Sequence, residues 1–123
     1  MPLPAPLRLV LASTSRYRRE LLARLDLPFE TASPDVDETP LEHEAPAALA
    51  LRLACAKARA VQQAWPDALI IGSDQVAVAG GAFLHKPGGY AAAFSQLQLM
   101  RGNAAQFFTA LCVLNSRSHR EQT

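Results

Sequence analysis

Strand-length apolar runs alternate with helix-length stretches along this chain, and proline, glycine or small polar residues punctuate the junctions. The run 7–11 is short, apolar and rich in branched residues, which predicts a buried strand. The hydroxyl-rich Ser13-Thr14-Ser15 that follows opens a helix over 16–25, with Ser15 as its N-cap. Pro28 breaks that helix, a second strand is expected at 29–32, and the acidic, proline-punctuated 34–44 is a loop. A long helix over 45–64 carries Pro46 in its first turn and stops at Pro66. Strand 69–78 folds back through Ala79-Gly80-Gly81-Ala82 into Phe83-Leu84 as a hairpin. After the loop Lys86-Pro87-Gly88-Gly89 comes a helix at 90–100, closed by Gly102, and a last apolar strand at 106–114. The order β-α-β-α-β-β-α-β predicts an α/β fold, a mixed sheet flanked by helices. The polar 116–123 is expected to fray, which leaves strand 106–114 with nothing after it to pair with or cover it. A second copy of the chain is the expected source of that cover.

With 123 residues the chain has the length of a single domain, 1–123, around one hydrophobic core. A net charge of +1 argues against a broad nucleic-acid surface, which needs many uncompensated cations, but leaves room for a compact phosphate site. No apolar run approaches the length of a membrane span, and 1–6 lacks the charged region of a secretory signal. Cys55 and Cys112 form no CxxC and show no metal-ligand spacing, so two reduced thiols in a cytoplasmic protein are expected.

Four places concentrate chemistry. At Ser13-Thr14-Ser15 a strand runs into a helix whose first N–H groups and positive dipole end make an anion site. On that helix Leu21, Leu22 and Leu25 define one arc, and Arg18 falls inside it one turn earlier, aimed toward the strand ends. On the long helix Leu49, Ala50, Leu53, Ala54, Ala60, Val61 and Ala64 share an apolar arc, with Lys57 near its middle. An ammonium there either snorkels to an edge or meets a negative partner, because burying it unpaired costs several kcal/mol. Asp74 interrupts an otherwise apolar strand, as a metal ligand, a general base or a satisfied structural acid. Asp35, Asp37 and Glu38 make an acidic loop, and Lys86 stands before Pro87; either alone reads as an ordinary solvated loop. His43, His85 and His119 show no ligand spacing, and Trp65 and Phe107-Phe108 read as core or interface.

Together these pieces resemble the Maf family of nucleoside triphosphate pyrophosphatases, over nearly the whole chain, from Leu7 to Asn115. The resemblance rests on Leu-Ala-Ser-Thr-Ser with Arg18-Arg19 and Leu21-Leu22, Val36-Asp37-Glu38-Thr39, Lys57-Ala58, Gly72-Ser73-Asp74-Gln75 and Lys86-Pro87, in that order. The only two lysines of the chain, Lys57 and Lys86, both fall on motif positions. The resemblance implies a Maf/ITPase-like fold, incomplete at this C-terminus because the family continues past Thr123. It implies a cytoplasmic, often dimeric enzyme that needs a divalent metal cation (Mg2+, Mn2+ or similar) and cuts nucleotides between the α- and β-phosphates. It implies no nucleic-acid or membrane partner. Carried over residue by residue, Asp74 matches the proton acceptor for the attacking water, and Ser13, Arg18, Lys57 and Lys86 match positions that hold the triphosphate. Glu38 matches an acidic residue tied to metal and water, so Glu38 and Asp74 are the implied metal ligands. Tyr17 and Gln75 resemble the branch that acts on 7-methyl-GTP, in which an aromatic can stack on a methylated, cationic purine. His85 and Gly88-Gly89 depart from the family pattern. The same reaction on dTTP, UTP or another non-canonical nucleotide, an inactive nucleotide-binding fragment, and a purely structural α/β module are the rival readings.

Overall fold

A computed structural model describes residues 6–84, 90–102 and 104–123; Lys86 and its neighbours in the Lys-Pro-Gly-Gly loop lie outside them. In chain order the elements are β1 (Arg8–Ala12), α1 (Arg16–Ala23), β2 (Glu30–Ala32), α2 (Pro46–Ala60), β3 (Ala68–Ala79), β4 (Ala82–Leu84), α3 (Tyr90–Met100), β5 (Ala105–Asn115) and β6 (Arg120–Gln122). They build the expected mixed α/β sheet. Its strands run β2-β1-β3-β5-β6, and β4 pairs with β3 outside that path. β1 is parallel to β2 and β3, whereas β3–β4, β3–β5 and β5–β6 are antiparallel.

The register of β3 opens the sheet where function needs it. β1 pairs with residues 68–72 of β3 and β4 with residues 77–79, while β5 runs along the other side from 69 to 79. Between β1 and β4, residues 73–76 therefore have a ladder partner only on the β5 side. Asp74 stands in that gap, just beyond the carboxyl ends of β1 and β2, the place where open α/β sheets bind ligands. The hairpin that sends β4 back is made by Gly80 (φ 56) and Gly81 (φ 77), both in the left-handed region a two-residue primed turn demands.

Helix α2 covers one face of β3 and β5. Ala54 and Ala58 of α2 pack there with Val10, Ile70, Cys112 and Leu114 in one buried cluster. Burying a side chain such as Ile70 or Leu114 contributes roughly 1.5–3 kcal/mol each. Gly72 is the residue that lets the helix come this close. A Cβ at position 72 would sit 2.0 Å from the Ala54 carbonyl oxygen and 2.8 Å from the Ala58 nitrogen. Backbone atoms cannot step aside as a side chain can, so Gly72→Ala is expected to destabilise the fold by about 3 kcal/mol, read as a lowered denaturation midpoint. A midpoint equal to the parent's would show that α2 can lift off the sheet at no cost.

Several sequence expectations are corrected. Residues 116–123 do not fray: Asn115 Oδ1 accepts from the N–H groups of Arg117 (3.0 Å) and Ser118 (3.2 Å), and His119 takes a φ of 60° to close the turn. The returning residues form β6, which pairs with residues 113–115 of β5 and is tied to α2 by the Arg59–Glu121 ion pair. β5 thus has a later partner, although only along its last three residues. Helix α2 ends at Ala60 rather than at 64, because Pro66 holds the chain before it extended and the last turn loosens into i→i+3 bonds at Val61, Gln62 and Trp65. Ala60 and Ala64 are consequently exposed, and Cys55 and Ala58 take their places on the buried side. Helix α1 buries none of its residues; Leu21 and Leu25 of the leucine arc are exposed, and Arg18 and Leu22 are half-buried. On β5 the even-numbered residues face α2, while Phe107, Leu111 and Val113 stand exposed on the other side.

Candidate functional site

The site grows from three local structures that meet at the gap in β3. The first is the turn after β1. Ser13, buried, accepts a hydrogen bond at Oγ from the Ser15 N–H (3.0 Å), and Ser15 Oγ in turn accepts from the Arg18 N–H (3.2 Å) as the N-cap of α1. That double turn aims the start of α1 at the gap. Arg16 is held outward by Glu20 at 3.1 Å, whereas among the described residues no carboxylate pairs with Arg18.

The second structure is Asp74 with Lys57. The Lys57 ammonium lies 2.9 Å from Asp74 Oδ1 and 2.8 Å from Glu38 Oε1, and its side chain is only 12% exposed. Of the two possibilities for a lysine on an apolar arc, the partnered one holds. One ammonium gathers two carboxylates from α2, β3 and the acidic loop, elements that are far apart in sequence. Asp74 is buried and Glu38 is more than half exposed, so the pair offers one carboxylate held in the protein and one that meets solvent.

The third is the acidic loop, held in place from behind. Arg52 donates from Nε and Nη2 to the two oxygens of Glu44 (2.7 and 2.9 Å) and from Nη2 to the Thr39 carbonyl (3.1 Å). Asp37 Oδ1 accepts from the Thr39 N–H at 2.9 Å, which bends the loop and presents Glu38 to Lys57. The Arg52 hydrogen bond holds the Glu44 carboxyl below its ordinary value of 4.5. A carboxyl lowered by folding contributes stability that is present above the ordinary value and is lost as pH falls through the folded-state value. Glu44→Gln is therefore expected to melt earlier than the parent at neutral pH, and the two melting curves to converge as the pH is taken well below 4.5. A gap between the melting temperatures that persists unchanged into acid would mean that Glu44 acts by packing and not by charge.

These structures enclose a cavity of about 960 Å³, at the upper end of the size of small-molecule sites. Seven of the eight residues given roles by the family resemblance line it: Ser13, Tyr17, Arg18, Glu38, Lys57, Asp74 and Gln75, whereas Asp35 and Asp37 of the acidic loop are not among its lining residues. The eighth, Lys86, lies outside the described residues. Tyr17 is 68% exposed at the rim, and Gln75 donates from Nε2 to Thr109 Oγ1 at 3.2 Å, which fixes its amide against β5. Sequence reasoning missed the apolar wall of Leu49, Leu53, Val76 and Phe83, and it missed Gln96 and Met100 from α3 and Phe107 from β5. A signal existed for part of this wall: Leu49 and Leu53 precede Lys57 by two turns and one turn of the same helix face. No comparable pattern pointed to α3.

In chemical terms the cavity combines cationic groups and a helix N-terminus with apolar side chains. Such a surface suits a ligand with an anionic chain and an aromatic or sugar body. Glu38 and Asp74 are hard oxygen donors gathered around one ammonium, and carboxylates of this kind are the donors a hard divalent cation takes, completed by ligand oxygens and water.

A sequence model of the Maf-like protein family matches residues 8–123. The chain is 61% identical to a 7-methyl-GTP pyrophosphatase of Aromatoleum aromaticum over 111 residues, covering 90% of this chain and 57% of that protein. It is 55% identical to a 7-methyl-GTP pyrophosphatase of Burkholderia pseudomallei over 122 residues, covering 97% of this chain and 57% of the relative. With the protein of the same name from Thiobacillus denitrificans it shares 59% over 115 residues, 94% of this chain and 57% of that one. The chain thus spans somewhat more than half the length of the curated relatives it matches.

Proposed function

The chain belongs to the Maf-like family, and from that premise we propose that it is a nucleoside triphosphate pyrophosphatase acting on 7-methyl-GTP to give the monophosphate and pyrophosphate. One observation carries the reading: Lys57 holds Asp74 and Glu38 together at the floor of a cavity faced by Arg18 and the N-terminus of α1. Hydrolysis of a phosphoanhydride needs charge neutralisation around the phosphates and a water oriented at phosphorus. In this reading Ser13, Arg18 and the first N–H groups of α1 hold the phosphates, with Lys86 assigned the same task on the family resemblance alone. Asp74 takes the proton of the attacking water while the bond to the α–β bridging oxygen breaks and the electron pair leaves with pyrophosphate. Lys57 restrains the Asp74 carboxylate until the phosphates arrive and then offers its ammonium to them. A divalent cation held by Glu38 and Asp74 would neutralise phosphate charge and polarise the phosphoryl group.

Tyr17 at the rim gives a methylated, positively charged purine an aromatic face, and Gln75 gives it an amide with a fixed orientation. That the relatives are 7-methyl-GTP pyrophosphatases supports the same nucleotide. Removing such a nucleotide from the pool keeps a modified base out of nucleic acid, a task that belongs in the cytoplasm. Among the described residues no helix is long and apolar enough to cross a membrane.

The test is a panel of triphosphates incubated with Mg2+ or Mn2+, with pyrophosphate and monophosphate quantified together. Equimolar release of both, fastest with 7-methyl-GTP, is the expected result. Preference for dTTP or UTP would move the branch, and release of orthophosphate alone would overturn the reaction. Tight nucleotide binding without turnover would assign the chain as a nucleotide-binding module.

A homodimer is part of the proposal. Outside residues 113–115, the far edge of β5 has no strand partner among the described residues, and it carries exposed Phe107 and Leu111. Light scattering across a dilution series is expected to show concentration-dependent doubling of mass; a constant monomer mass would remove the dimer.

A further inference from the structure

A second constellation lies away from the cavity. Gly72 brings α2 down onto the sheet, and Cys112 is the residue of β5 directly opposite Gly72. Cys55 of α2 follows the Ala54 that touches Gly72, so the close helix approach sets two thiols against each other in the core. Both are free; Cys112 is fully buried and Cys55 is 8% exposed. The β5–β6 register adds a third group. Glu121 pairs with Leu114, two residues from Cys112 on the same face, so its carboxylate turns toward the thiols. The two sulfurs and a Glu121 oxygen all lie within 4.8 Å of one another, the single such group of three among the described residues.

We propose that Cys55, Cys112 and Glu121 form a binding site for a soft divalent cation of the Zn2+ type, separate from the nucleotide cavity and pinning β6 and α2 to β5. The donor set argues for the class: two thiolates select Zn2+ over Mg2+ or Ca2+, which prefer oxygen. The separations are of the scale tetrahedral coordination requires, since zinc–sulfur bonds of about 2.3 Å place two ligand sulfurs just under 4 Å apart. Each thiol gives its proton to solvent as its sulfur takes the metal. The charges then close: two thiolates and a carboxylate against a dication leave one negative charge, and Arg59 is already beside it. Arg59 sits one turn after Cys55 on the same helix face and donates to both oxygens of Glu121, with Nη2 2.6 Å from Oε2. A guanidinium on the outer side of a ligating carboxylate is the kind of outer-shell partner that orients a metal ligand.

The probe is Co2+, followed by displacement with Zn2+, on the reduced chain. One equivalent of Co2+ is expected to produce thiolate-to-metal charge-transfer absorption that Zn2+ erases, and Zn2+ is expected to raise the melting temperature. Cys112→Ala abolishes the band. Because a core variant can fail for other reasons, Glu121→Gln and Arg59→Gln serve on the surface: they leave the buried packing of α2 on β3 and β5 in place, free β6 from α2, and weaken binding about 10–100-fold, the usual cost of disturbing a ligand's support. Asp74→Asn, at the other site, leaves the band unchanged. Absence of charge-transfer absorption, or a band indifferent to Cys112→Ala and Glu121→Gln, would each overturn the site.

Discussion

Asp74→Asn is expected to slow pyrophosphate release about 10²–10⁴-fold, the range in which a lost general base falls, with nucleotide affinity little changed. The substitution keeps the size of the side chain and an oxygen to accept from Lys57, so the 2.9 Å contact survives as a weaker hydrogen bond from the ammonium to a neutral amide oxygen. What disappears is the group that can take a proton from water at the open segment of β3. Glu38 is a poor substitute: it is largely exposed and rides on a loop. Rate and binding are best read together, on this chain and on a form extended to the length of its relatives. Near-parental turnover in a folded Asn variant would show that Asp74 serves the architecture and not the reaction. A loss of affinity as large as the loss of rate would make it a ligand-holding group instead.

Asp74 and Lys57 were legible in the sequence for one physical reason: each is a charge set into an apolar periodicity, and burial without a partner is too costly to be accidental. The turn at Ser13 was legible because hydroxyls at a strand-to-helix junction have few other uses. Arg18 lines the cavity although the leucine arc that pointed to it stays largely open to solvent. What was not legible depends on pairs distant in sequence. Residues 120–122 carry no apolar pattern and become a strand only because Asn115 and His119 close a turn and Arg59 captures Glu121. The thiol pair had no spacing signal, because Cys55 and Cys112 meet through the β3–β5 register and the missing side chain of Gly72. Helix α3 entered the cavity wall unforeseen, its sequence 90–100 being apolar almost all round and so silent about which side faces what.

Lys57→Met carries the other large effect, and it separates the two services this lysine performs. Met fits the apolar arc of α2 and keeps the helix, but it leaves the buried Asp74 facing no cation. Losing one partner of a buried pair costs about 3–5 kcal/mol; because Glu38 brings solvent to the other side of the ammonium, the low end, about 3 kcal/mol, is expected. Adding Asp74→Asn removes the stranded charge, so the double variant should regain most of that stability. The two substitutions are then strongly non-additive, as contacting residues are. Nucleotide binding should behave differently: it falls in the single variant and stays low in the double, because neutralising Asp74 restores the fold but supplies no cation for the phosphates. Denaturant midpoints for the four members of the cycle and nucleotide titrations of the same four decide it. Additive stabilities would mean that the Lys57–Asp74 contact stores no energy in the fold. Binding that recovers along with stability would mean that Lys57 acts on the nucleotide only by keeping Asp74 in place.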